Sequence, residues 1–225
     1  MTYGVEFTNN GDVVTLDSEF ARLVVVSKGR FIPTQESGLG STTNFERTIT
    51  TQEPPLVFVR PDRVNAIAGL CLMQVIGSPG NWTGFYVRAY SATTAQPLGD
   101  YFAAVFESAN VAKYGIRIFN SAGKTIFDSG TPAAIFTASY QGWSYVTFDR
   151  DPQGLVRSYF SLPFDFGKNE YMMINNYGMD ASSYARQQQV YCWWDFPGNR
   201  LWTIMTALTG LNVSYLPAVF AKMQV

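Results

Sequence analysis

The chain alternates apolar and polar residues in short runs broken by turn residues. Tyr3, Val5 and Phe7 point one way while Gly4, Glu6 and Thr8 point the other, the period-two pattern of a strand. Asn9-Asn10-Gly11 then supplies residues that tolerate positive φ, and Val13 to Leu16 returns, so residues 3–18 predict a β-hairpin. The same pattern recurs without a gap at residues 114–129. Tyr114, Ile116 and Ile118 form the expected inward row, and Asn120-Ser121-Ala122-Gly123 forms the turn. Asp17-Ser18 and Asp128-Ser129 are expected to close the two hairpins through side-chain to backbone hydrogen bonds. Glu6 in one copy stands where Arg117 stands in the other, which argues for a shared scaffold rather than a shared ligand.

Further strands are expected at 23–26, 56–60, 84–89, 101–106, 135–139, 143–148, 159–164, 172–174, 190–194 and 201–205. The run 64–76 is apolar almost throughout, either one strand buried on both faces or two strands meeting at Gly69. Residues 35–44 read as a loop by composition; their Gly-Leu-Gly-Ser-Thr piece lacks the lysine and following helix of a phosphate cradle. Residues 180–189 are polar and read as a loop or one short helix. Spans of this size between turn signals predict an all-β protein of β-sandwich type.

Three later matches keep the order of the hairpin repeat. Pro79-Gly80-Asn81 is answered by Pro197-Gly198-Asn199, Tyr101–Phe106 by Tyr215–Phe220, and Leu56–Val59 by Tyr171–Ile174. The expectation is an internal duplication giving two related β-sandwich modules, residues 1–112 and 113–225, each near the usual domain size.

Composition sharpens the functional question. Of 225 residues, 47% are apolar and 16% aromatic, while only 15% are charged. A chain poor in charge and rich in large rings favours strands and broad subunit contacts, so a homo-oligomer is expected. The net charge of −1 offers no basic patch for nucleic acid. No apolar run approaches the length that spans a bilayer, so no membrane insertion is expected. The opening Met1-Thr2-Tyr3-Gly4 reads directly into a strand, so synthesis in the cytoplasm without a secretory signal is expected. Cys71 and Cys192 each sit in an apolar run; buried free thiols are favoured over a disulfide, which stays open.

The absence of histidine removes the Ser-His-Asp triad, Cys-His pairs and the commonest metal ligand. Two separated cysteines cannot build a structural zinc set. Asp149, Asp151, Asp165 and Asp195 could supply the two carboxylates of a glycosidase, but nothing in their spacing specifies a pair. The expectation is therefore no enzyme, no cofactor and no metal. Trp143, Tyr191, Trp193, Trp194 and Trp202 form the candidate surface, either as core or interface rings or as a stacking platform for glycan.

The stretch Val105 to Gly130, with Tyr-Gly-Ile-Arg-Ile-Phe-Asn-Ser-Ala-Gly-Lys-Thr-Ile-Phe-Asp-Ser-Gly, resembles a family of uncharacterised tail proteins of long-tailed bacteriophages and prophages of Gram-negative hosts. The opening Tyr-Gly-Val-Glu-Phe-Thr-Asn-Asn-Gly is similar to the start of those proteins. The resemblance covers the two hairpins. It implies a structural component of a tail tip or baseplate within the virion, docking other tail proteins. The alternative is a tail module that contacts a receptor or glycan on the host surface. The family carries no catalytic residues to transfer.

Overall fold

The computed structural model describes residues 6–8, 14–17, 21–32, 40–89, 97–108, 111–152, 154–178 and 190–224. In chain order the strands are β1 (Glu6–Thr8), β2 (Val14–Asp17), β3 (Val24–Phe31), β4 (Gly40–Ile49), β5 (Leu56–Pro61), β6 (Ile67–Ser78), β7 (Asn81–Ala89) and β8 (Gly99–Val105). They continue as β9 (Arg117–Phe119), β10 (Thr125–Asp128), β11 (Ala133–Tyr140), β12 (Ser144–Arg150), β13 (Val156–Pro163), β14 (Tyr171–Met173), β15 (Val190–Asp195), β16 (Arg200–Ala207) and β17 (Ala218–Gln224). Two single 3-10 turns, Phe166–Lys168 and Asn175–Gly178, are the only helical pieces among the described residues. The protein is all-β, with its strands in sandwich-like layers.

One layer is a six-stranded barrel ordered β11-β17-β14-β5-β8-β3, which closes where Ala133 meets Val24. The other is a seven-stranded sheet ordered β12-β13-β16-β15-β6-β7-β4. Alternation along the strands explains the two cores. On β5 and β8, Val57, Val59, Tyr101 and Ala103 face the sheet and join Leu70, Phe85, Val87, Cys192, Trp194 and Leu201 in the large core between the layers. Phe58, Phe102 and Ala104 turn the other way, into the barrel, with Val25, Ala134 and Tyr171. Phe58 and Phe102 stack at 4.7 Å, and the Tyr171 ring meets Phe102 edge-on at 5.0 Å. Each such ring taken out of water contributes roughly 1.5–3 kcal/mol, which favours closure of the barrel.

Each layer draws strands from both sides of residue 112. In the barrel β5 pairs with β14, and in the sheet β6 pairs with β15. The boundary read at residue 112 therefore falls between strand sets that complete the same two layers and share one core. Both layers read alike from either end. Matching β3, β5 and β8 to β11, β14 and β17 reverses the barrel order onto itself; matching β4, β6 and β7 to β13, β15 and β16 does the same for the sheet, leaving β12 over.

The register repeats as well. In the first hairpin Glu6 pairs with Asp17 and Phe7 with Leu16, then a bulge brings Thr8 to Val14. In the second, Arg117 pairs with Asp128 and Ile118 with Phe127, then a bulge brings Phe119 to Thr125. Bulges also coincide in the barrel: Val25 opposes Ala104 and Ser27 opposes Ala103, while Phe136 opposes Ala221 and Ala138 opposes Phe220. The last pair corrects one sequence match. Strands β8 and β17 hold corresponding places, but Ala103 corresponds to Phe220 rather than to Pro217.

Other readings shift too. Gly40 to Asn44 is strand, paired with β7, not loop. From Ile67 on, the run 64–76 is one strand with an irregularity between Cys71 and Gln74, where Leu72 takes a φ of 50°. Tyr114 and Ile116 are exposed rather than inward, because β9 begins only at Arg117; of that row Ile118 alone is buried. The expected loop or helix at 180–189, the Asn9-Asn10-Gly11 turn, Tyr3 and Val5 of the first inward row, and Ser18 lie outside the described residues.

Candidate interaction surface

Strand β15 sorts the aromatic candidates by parity. Val190, Cys192 and Trp194 point into the core, and Tyr191, Trp193 and Asp195 point to the outer face of the sheet. Trp194 is thus a core residue. Trp143, in the short link between β11 and β12, packs beside the same core and donates its indole N–H to the Leu216 carbonyl at 2.6 Å. Neither is part of an open shelf.

The outer face keeps the other three. Trp193 opposes Trp202 across the β15–β16 ladder, and Tyr191 opposes Ile204. Tyr159 on β13 also opposes Ile204, from the other side. All four rings are half-buried, and Ile204 beneath them is fully buried. Gly69 and Cys71 lie opposite Trp193 and Tyr191 on β6, so small residues leave the large rings room. The rings lean on one another: Trp193 to Tyr159 at 5.7 Å and 57°, Trp193 to Trp202 at 6.3 Å and 56°. Such angles make an interlocked cluster rather than one flat plane.

Charged side chains frame the cluster. Asp149 on β12 binds Arg157 on β13, with the Arg157 Nε at 2.6 Å, and accepts from the Tyr159 hydroxyl at 3.2 Å. Asp195 accepts the Trp202 indole N–H at 3.3 Å and the Gly198 N–H at 2.9 Å. Arg200 lies 5.7 Å from the Trp202 ring centre and donates to the buried Ser161 hydroxyl. The remaining aspartates serve turns. Asp151 accepts from the Leu155 N–H, and Asp165 from the Gly167 N–H. Among the described residues no group of three or more Cys, Asp or Glu side chains is close enough to hold a metal.

A second kind of surface had no signal in the list of aromatics. Large apolar side chains are exposed on the second hairpin (Tyr114, Ile116, Phe119), on β11 (Ile135, Phe136), on β12 (Tyr145, Val146, Phe148) and near the end of the chain (Leu208, Leu211, Val213, Tyr215). Most of the exposed large apolar residues that are described fall after residue 112. The hairpin that carries the first group is closed at its base. The buried Asp128 carboxylate accepts from Arg117 at 2.8 Å and from the N–H groups of Val111, Ala112 and Gly130. Ser129 accepts from the Ile116 N–H, so the expected closing role of Asp128-Ser129 is met. Lys124, beside the hairpin's turn, pairs at 2.6 Å with Glu107, just beyond the end of β8.

Burial pushes the Cys71 thiol up to about 12 and the Cys192 thiol well above its ordinary value, so neither is a ready nucleophile. What the surface offers is contact: ring clusters, apolar hairpin and strand faces, and sparse charge. No protein-family model, curated protein or solved structure matches this chain.

Proposed function

We propose that this chain is a structural component of a bacteriophage tail tip or baseplate, docking other tail proteins through the exposed faces of its β-layers. The observation that carries the docking role is the crowding of exposed large apolar side chains onto the second half of the chain. Exposed apolar surface gathered in this way marks sites of protein contact. The tail assignment rests on the resemblance over residues 105–130, the segment that contains the second hairpin. On this reading the protein resides in the virion, in several copies, and catalysis is not part of its role.

The test uses the hairpin. Replacing Tyr114, Ile116 and Phe119 together by serine removes an exposed apolar face without touching the core. Particles assembled with this variant are expected to lack the protein or to stall in tail assembly. Normal incorporation and normal infectivity would overturn the docking role. Tail genes are also expected on either side of the coding sequence; their absence would remove the tail assignment alone.

A second reading, recognition of a receptor or glycan on the host, is favoured by one observation: Tyr159, Tyr191, Trp193 and Trp202 share the outer sheet face with Arg157 and Arg200 at its border. Saturable quenching of tryptophan emission by host-surface glycan, lost in Trp193→Ala, would favour it over docking.

We also infer that the two halves descend from one duplicated unit. The repeated hairpin register, the coincident barrel bulges and the reversible strand order support this. An experimental structure in which those bulges fail to coincide would count against it.

A further inference from the structure

Strand β12 ends the seven-stranded sheet, and among the described strands it pairs with β13 alone. All seven of its residues are exposed. The opposite edge, β4, is defended in the usual way: the pairing is broken between Asn44 and Ile49, and Glu46 and Arg47 sit in the break. On β12 the one irregularity lies at Val146, and the charges Asp149 and Arg150 sit at its end. The backbone from Tyr145 to Phe148 is therefore an open, apolar template for another strand.

We propose that β12 pairs antiparallel with β12 of a second copy of this chain, about a two-fold axis at Thr147, joining the two seven-stranded sheets into one. The sequence of the strand is self-complementary in this register. Thr147 faces its equivalent, the bulge sets Tyr145 and Val146 together against Phe148 of the other copy, and Ser144 faces Asp149. No like charges oppose. A parallel, in-register pairing would set Asp149 beside Asp149 and Arg150 beside Arg150, which is destabilising. The core-facing side gains as well. Tyr145 leans on the buried Phe160 at 5.8 Å, yet it remains 43% exposed, and Phe148, opposite the buried Ser158, remains 56% exposed. Both overhang the covered core. The two-fold operation brings the second copy's Phe148 opposite Tyr145 and Val146 on that side, within reach of a large ring, and so covers both overhangs at once. An interface of this kind is isologous and closes on itself. The inference stands apart from the tail assignment and is tested on the purified chain.

The full-length protein is expected to sediment as a dimer. Thr147→Cys is expected to cross-link the dimer on mild oxidation, since directly opposed Cβ atoms lie ~4.5–5.5 Å apart, near disulfide range. Ser144→Cys is expected not to cross-link, because this register sets it about five residues, or ~17 Å, from its equivalent. The native thiols are both buried and contribute no background. Phe148→Lys is expected to yield a monomer with unchanged circular dichroism. A wild-type monomer at all attainable concentrations would overturn the proposal, as would cross-linking through Ser144→Cys but not through Thr147→Cys. If Phe148→Lys lowers stability, the two cysteine variants still decide the matter.

Discussion

Cys71 and Cys192 sit on paired strands, one residue out of register, and face opposite sides of the same sheet. Tyr191 is the partner of Cys71 and Leu70 the partner of Cys192, so parity sends Cys192 into the core and Cys71 to the outer face. A disulfide between them is excluded by direction, although the strands are adjacent. Both thiols are free and buried, and burial raises both above the ordinary range, Cys71 to about 12. An aromatic disulfide reagent at neutral pH is expected to label neither thiol in the native protein and both after unfolding. Rapid labelling of one equivalent in the native state would contradict this placement.

Trp193 and Trp194 are neighbours with opposite expected responses to truncation. Trp194 is buried in the core between the layers, and Trp193 is half-buried on the outer face. Trp194→Ala is expected to cost about 3–5 kcal/mol, the usual range for emptying a large core site. Trp193→Ala is expected to cost markedly less, because part of its surface is already in water. Denaturant titration of the two variants measures the difference. Equal losses would mean that the outer face is covered by more than the ring cluster described here.

Much of this was legible from period-two alternation and turn chemistry. The second hairpin's turn shows why: the Asn120 carboxamide accepts from the N–H groups of Ala122 and Lys124, and Gly123 takes a φ of 75°. These are local demands, and local sequence states them. What depends on distant partners was not legible. Residues 40–44 look like a loop by composition, yet Ser41 and Phe45 turn inward because β7 supplies Val87 and Phe85 alongside. Tyr101 and Tyr215 invite alignment by identity, but position in the barrel is set by which side chains face the sheet, and that makes Ala103 and Phe220 equivalent. Pairing across residue 112 left no local mark, so the sharing of one core by both halves could not be read beforehand. The candidate aromatics split for the same reason. Alternation predicts that Trp193 and Trp194 face apart, but only the sheet order tells which side is the core.

The shared core has a thermodynamic consequence. Phe85 and Val87 from the first half pack in one cluster with Leu201, Trp194 and Phe220 from the second. Phe85→Ala is expected to remove about 3–5 kcal/mol. The loss is expected to shift a single transition for the whole chain, seen alike by tryptophan emission, dominated by the second half, and by far-ultraviolet circular dichroism. Two resolved transitions, with only one moved by Phe85→Ala, would show halves that unfold separately.

The Asp128 carboxyl gives a signed pH dependence. Burial alone would raise it, but the hydrogen bond from Arg117 and those from the N–H groups of Gly130, Ala112 and Val111 outweigh burial and hold it at about 2. An unfolded aspartate titrates at about 3.9. A carboxyl whose folded value is the lower one contributes stability that is present in full above the unfolded value and is lost as pH falls through the folded one. The contribution of Asp128 should therefore fade from about pH 4 to about pH 2. Asp128→Asn lacks the charge at every pH, so the wild-type protein is expected to be the more stable at pH 5 and the gap to shrink steadily toward pH 2. Amide exchange at Val111, Ala112 and Gly130 is expected to quicken in the wild type over the same window, since those N–H groups bind the carboxylate directly. A stability gap that stays constant from pH 5 to pH 2 would show that the carboxylate's charge does not hold the hairpin's base together.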